Sequence, residues 1–98
     1  MISRYLNKQI DQIFSDEQKL ALWQETELAV IRAMTVLKII PLEVDTAIRS
    51  ALLSIPIDLS WWRERDKEIH HDLNAFLDER LLHLPKSLHQ YFHKDITS

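Results

Sequence analysis

Apolar residues return along this chain at helical spacing, and three prolines cut the pattern into segments. In "SDEQKLALWQETELAVIRAMTVLK" the residues Leu20, Trp23, Val30, Met34 and Leu37 recur on one side, with Ala29 and Ala33 widening the stripe. Lys19, Glu25 and Arg32 fall on the other side. Ser15 followed three residues later by Gln18 has the spacing of a capping box, so this long helix is expected to start at Ser15. Pro41 suits a first helical turn, and "PLEVDTAIRSALL" then repeats Val44, Ile48, Ala51 and Leu52 until Pro56 ends the run. A third helix is expected from Asp58 across "DLSWWRERDKEI", with a charged outer face. Trp61 and Trp62 are adjacent and cannot face the same way, so one packs inward and the other stays at a rim or partner surface. "DLNAFLDERLLHL" places Leu73, Phe76, Leu77 and Leu81 together, with Asp72 as the N-cap and Pro85 as the stop. No repeat or low-complexity tract divides the chain. The pattern predicts a small compact multi-helix fold, all-α, as a single helical domain over 1–98.

Composition narrows the function. Twelve Lys and Arg against fifteen Asp and Glu, net charge −3, lack the basic excess that a phosphate-backbone binder needs, so no nucleic acid partner is expected. Without cysteine there is no thiolate nucleophile, disulfide or Cys-based zinc site, and a cytoplasmic location is the natural expectation. "LAVIRAMTVLKII" is interrupted by Arg32 and Lys38, and "MISRYLNK" has no apolar core, so neither a membrane span nor a signal peptide is expected. The chain contains no glycine, which rules out Gly-rich phosphate loops. No cofactor is expected. Turns that need positive φ must fall to other residues, Asn or Asp by preference.

The histidines are the candidate chemistry. His83 near the end of a leucine-rich helix reads as a cation favoured by the helix dipole. "HQYFH" puts His89 and His93 four apart, but lacks the Glu of H-E-x-x-H and a third ligand, so no metal is expected. His70, His71 and Asp72 lie at a helix start. They fit either a surface cap or an anion site in which a neutral imidazole donates or relays a proton.

The ordered motifs Arg4–Tyr5, Trp23–Glu25–Glu27, Ile39–Ile40–Pro41, His71–Asp72 with Ala75–Phe76, and His93 with Thr97–Ser98 span essentially the whole chain. In order and spacing they resemble the N-terminal domain of the adenylosuccinate lyases, in the fumarase/aspartase superfamily. Those enzymes eliminate fumarate from adenylosuccinate and from a related imidazole carboxamide ribotide of purine synthesis. The resemblance implies that Arg4 and Tyr5 contact the nucleotide and its phosphate, and that His70, His71 and Asp72 touch substrate. It also implies that His93 belongs to the same binding set and that Thr97 and Ser98 hold a carboxylate. His71 is implied as an auxiliary acid or an orienting donor. Arg offers a planar fork for phosphate, and Thr and Ser hydroxyls can donate to a carboxylate. The Arg4–Tyr5 pair, the His71–Asp72 corner and Thr97–Ser98 are accordingly expected to converge on one concave surface.

The same resemblance places the family's catalytic serine loop and its second histidine in a central helical domain, beyond the motifs found here. Family members are tetramers whose sites combine several subunits, so this segment is not expected to turn over substrate alone. Three positions depart from the family pattern. Lys38 stands where a glycine closes the long helix, His70 replaces an arginine, and Asp95 replaces the glycine of H-x-G-x-T-S. The expected partners are a purine nucleotide and the remainder of a lyase, or a second copy met through an exposed apolar patch. The alternative reading is a free-standing helical interaction module, anchored by Trp61 or Trp62 and by Leu88, Tyr91 and Phe92.

Overall fold

The computed structural model describes residues 4–93. Five helices follow one another: α1 (Arg4–Val36), α2 (Leu42–Ser54), α3 (Leu59–Ile69), α4 (Asp72–Leu81) and the short α5 (Lys86–His89). The fold is all-α, with no strand among the described residues. At 1.5 Å per residue α1 is about 50 Å long, and it sets the long dimension of a 54 × 26 × 23 Å molecule.

The expected helix start at Ser15 is corrected: α1 runs unbroken from Arg4. Residues 4–14 contain neither glycine nor proline to stop it. Asp16, beside the supposed cap, accepts from Arg63 of α3 at 3.1 Å and from Gln12 at 3.1 Å. A capping box satisfies donors left free at a helix end, and a helix that continues leaves none free there. The predicted stripe is also rotated. Leu20 is buried and Trp23, Val30 and Met34 are partly buried, but Ala29, Ala33 and Leu37 are exposed, and Glu27, Leu28 and Ile31 take the inner face. Apolar residues occur on nearly every side of this helix, so periodicity alone does not choose the inner one.

α2 packs back along α1: Arg32 donates to Asp45 at 2.7 Å, and Arg49 reaches the Leu28 carbonyl at 2.9 Å. α4 follows α1 in the same direction, as Lys19 to Asp72, Trp23 to Phe76 and Gln24 to Arg80 show in sequence. The core joins Leu20, Leu28 and Ile31 to Ile48, Leu52, Trp62, Ala75, Phe76 and Leu77, and is closed by Ile40, Leu84 and Phe92. Trp62 is thus the inward member of the tryptophan pair, its indole N–H donating to the Asp72 carbonyl at 2.9 Å.

Corners without glycine are built from charged and imidazole side chains. After α1, Lys38 takes φ 62°. Its N–H bonds the Thr35 carbonyl at 3.0 Å while the Ile39 N–H bonds Met34 at 2.8 Å, the paired bonds of a Schellman closure. After α3, His70 takes φ 52° and its N–H bonds the Asp66 carbonyl at 2.7 Å. Left-handed backbone costs a non-glycine residue roughly 1–2 kcal/mol, and here the helix-end carbonyls it satisfies offset that cost.

At the centre lies Arg80, wholly buried. It pairs with buried Glu79 at 2.6 Å and donates to Gln24 Oε1 and to the carbonyls of Leu52, Ile55 and Pro56 at 2.9–3.1 Å. One guanidinium therefore supplies donors to the end of α2 and ties it to α1 and α4. Asp45, equally buried, sits between Arg32 and Arg49. Burial by itself would raise its pKa, but the hydrogen bonds and charges of the two arginines prevail and hold it below the usual carboxylate value.

Candidate functional site

The α3–α4 corner gathers most of the candidate chemistry. Asp58 caps α3, its carboxylate accepting from the Trp61 N–H at 3.0 Å. At the far end the left-handed His70 turns the chain, and His71 enters α4 in extended conformation. The expected Asp72 cap is corrected: His71 is the cap, its Nδ1 accepting the Asn74 N–H at 3.2 Å, and Asp72 is the first helical residue. An imidazole acceptor can replace the usual Asp or Ser oxygen because the cap needs only a lone pair aimed at the third N–H. Asp72 is thereby released to meet Lys19 Nζ at 3.4 Å. That ammonium also lies 5.3 Å from the Trp23 ring and 5.2 Å from the Trp62 ring, within cation–π range of both.

His93 joins this corner from the far end of the chain. It has φ 59° and its Nδ1 contacts the carboxylate of Glu27 on α1. His93 and Asn74 line one cavity of about 460 Å³, together with Arg65, Ile69, Asp78 and Phe92. The volume falls within the range of small-molecule sites. Arg65 forms part of the wall and is oriented by Asp78 at 2.9 Å and Glu68 at 3.1 Å.

Arg4 and Tyr5 stand apart from this group. Tyr5 is 70% exposed and its hydroxyl accepts from Gln9 one turn on. Fifteen residues of helix separate Arg4 from Lys19, where α1 meets Asp72, which is about 22 Å. Within one chain the His93 cavity takes Ile69 and Asn74, which flank the His70–Asp72 corner, but none of His70, His71 and Asp72 lines it, and Arg4–Tyr5 are not brought to it. Thr97, Ser98 and Asp95 lie outside the described residues. His89 turns its Nε2 to the Leu84 carbonyl at 2.9 Å, so it and His93 serve different partners. No group of three metal-ligating side chains occurs among the described residues, and no helix there is long and apolar enough to cross a membrane.

Glu27, Asn74 and Arg65 were given no role by sequence reasoning. Glu27 did carry a signal: it sits at the same angle around α1 as Leu20 and Ile31, and a carboxylate on an inward stripe needs a partner. Of the expected interaction anchors, Trp61 stays half-buried at a pocket edge, as the rim member of the tryptophan pair. Trp62 and Phe92 are buried, and Leu88 and Tyr91 pack against the core. Exposed apolar surface lies on the first turns of α1, at Leu6, Ile10, Ile13 and Phe14, and at the α1–α2 corner, at Val36, Leu37, Ile39 and Leu42. Packing consumed the aromatic residues because their area is the largest available to a core this small.

Known proteins similar to this chain include the adenylosuccinate lyase of Thermotoga maritima, 31% identical over 98 residues, which is 100% of this chain and 22% of that protein. The chain therefore spans less than a quarter of that relative. Another is an adenylosuccinate lyase of Spiroplasma citri, 33% identical over 76 residues, 78% of this chain and 83% of that protein. No protein-family model and no solved structure matches the chain. Since the similarity to the second relative covers most of both sequences, the chain belongs to the adenylosuccinate lyase family.

Proposed function

We propose that this chain is the N-terminal, substrate-contacting part of an adenylosuccinate lyase, acting in elimination of fumarate from adenylosuccinate and the related ribotide, in the cytoplasm. The observation that carries the reading is the similarity of all 98 residues to 22% of the Thermotoga maritima enzyme. The His93 cavity, which lies beside the His70–Asp72 corner at Ile69 and Asn74, supports it. In the assembled enzyme His71 serves as an auxiliary acid or orienting donor, His70, Asp72 and His93 touch substrate, and Thr97 and Ser98 hold a carboxylate. Arg4 and Tyr5, at the far end of α1, suit a site to which several subunits contribute, where they meet the phosphate of the nucleotide. The exposed apolar residues of the α1 arm and the α1–α2 corner are the surfaces through which the rest of a lyase, or another subunit, docks. Alone the domain is inactive.

Mixing tests this. A lyase lacking the equivalent segment regains fumarate release when the folded chain is added. Proven association without any release would defeat the proposal. A free-standing interaction module is favoured by one observation, the exposed apolar residues Ile10, Ile13 and Phe14 of the α1 arm. Light scattering separates the readings, because a strict monomer at high concentration removes the case for self-association.

A further inference from the structure

Four acidic side chains among the described residues are almost wholly buried, and three have evident structural work. Asp16 accepts from Arg63 and Gln12. Asp45 accepts from Arg32 and Arg49. Glu79 accepts from Arg80, His83 and the Asp58 N–H. Glu27 differs. It is 5% exposed, and among the described residues its Oε1 meets only His93 and its buried Oε2 has no hydrogen-bond partner. A buried carboxylate kept for stability would have both oxygens satisfied, because an unpaired buried acceptor is costly. His93 also holds left-handed backbone, as Lys38 and His70 do.

From this we infer that Glu27 is a positioning residue for His93, fixing its tautomer and aiming its other nitrogen at the cavity ligand; the inference rests on the proposed lyase role of that cavity. An ionised carboxylate can only accept, so Nδ1 carries the hydrogen and Nε2 keeps a lone pair. Nε2 has no hydrogen-bond partner among the described residues, and His93 lines the cavity beside Asn74, Arg65 and Asp78. The neutral ring thus presents an acceptor to a ligand hydroxyl or amine, and the cationic ring presents a donor to a ligand carboxylate or phosphate. In either state Nδ1 donates to Glu27. A neutral residue at 27 would leave the ring free to flip and would favour the opposite tautomer.

Imidazole nitrogen NMR on histidine-labelled chain at pH 8 tests this without any need for activity. In wild type the expected result is hydrogen on Nδ1 of His93. Glu27→Gln retains that tautomer through its amide oxygen but weakens the Nδ1 hydrogen bond, and Glu27→Leu shifts the proton to Nε2, as free histidine prefers. The His70, His71, His83 and His89 signals report whether each variant is folded. Hydrogen on Nε2 in wild type overturns the inference, as does a ring unchanged by both substitutions in folded protein. In the mixing assay Glu27→Leu lowers the kcat of restored fumarate release by about 10–100-fold, with KM moving less, and adds nothing to His93→Ala. If wild-type chain restores no release while the tautomer result holds, the lyase reading fails and the Glu27–His93 assignment stands.

Discussion

Replacing Arg80 by Met is the most direct test of how this fold is held. Methionine fills much of the same volume but supplies no donor. It leaves Glu79 without its nearest counter-charge, and the carbonyls of Leu52, Ile55 and Pro56 without the guanidinium that reaches them. Removing one partner of a buried pair costs about 3–5 kcal/mol. His83 at 2.8 Å and the Asp58 N–H at 3.2 Å remain on Glu79, so the lower half of that range is expected for the lost charge. Each orphaned carbonyl adds about 1 kcal/mol or more unless water reaches it. A domain this size has roughly 5–15 kcal/mol in total, and 1 kcal/mol corresponds to about 4–8 °C in melting temperature. Urea titration followed by far-UV circular dichroism should show a midpoint far below wild type, or a chain unfolded before denaturant is added. The double variant Glu79→Leu with Arg80→Met separates the two causes. Its ion pair is gone on both sides, yet the three carbonyls still lack donors, so it should remain about 3 kcal/mol less stable than wild type. A loss under about 1 kcal/mol for Arg80→Met, at unchanged slope, would refute the argument that this residue organises the core.

Other outcomes follow from the same geometry. Lys38→Gly should stabilise the chain by about 1 kcal/mol in a thermal melt, since the left-handed φ of 62° suits glycine and the Lys38 side chain makes no recorded contact among the described residues. Asp45 has a folded-state pKa below its unfolded value. Its contribution is therefore complete above the unfolded carboxyl value of about 3.9 and is lost as pH falls through the lower folded value. Comparing the acid dependence of unfolding in wild type and Asp45→Asn should show that slope only in wild type. His71→Asn keeps a good N-cap for α4 but removes the imidazole, so it should melt within about 0.5 kcal/mol of wild type while restoring less fumarate release when mixed with the truncated lyase.

Much of the fold was legible in the residues because its signals are local. Pro41, Pro56 and Pro85 each flank a helix start or end, Asp58 caps α3 as its position suggested, and the apolar sides of α2 and α4 match their spacing. These features depend on φ restriction and on donors within one turn, which a sequence states outright. Where sequence reading went astray, a distant partner decided. Ser15 carries every mark of a helix start, but Asp16 is taken by Arg63, forty-seven residues on, and the helix continues. Asp72 looks like the cap of α4, yet Lys19 claims its carboxylate and His71 caps instead.

The candidate site divides the same way. The His70–His71–Asp72 corner and the motifs were visible as letters, and overall similarity to lyases from two organisms establishes kinship. What the sequence by itself determined is an all-helical chain of this family with its breaks at the prolines, since propensity, capping and motif spacing act over a few residues. Only the tertiary structure decided which side of α1 faces inward, that Arg80 anchors the end of α2, that Glu27 reaches His93 across sixty-six positions, and that Arg4–Tyr5 stand about 22 Å along α1 from Lys19. Those outcomes follow from burial and pairing among segments far apart in the chain, where the cost of an unsatisfied charge is settled only when the helices meet.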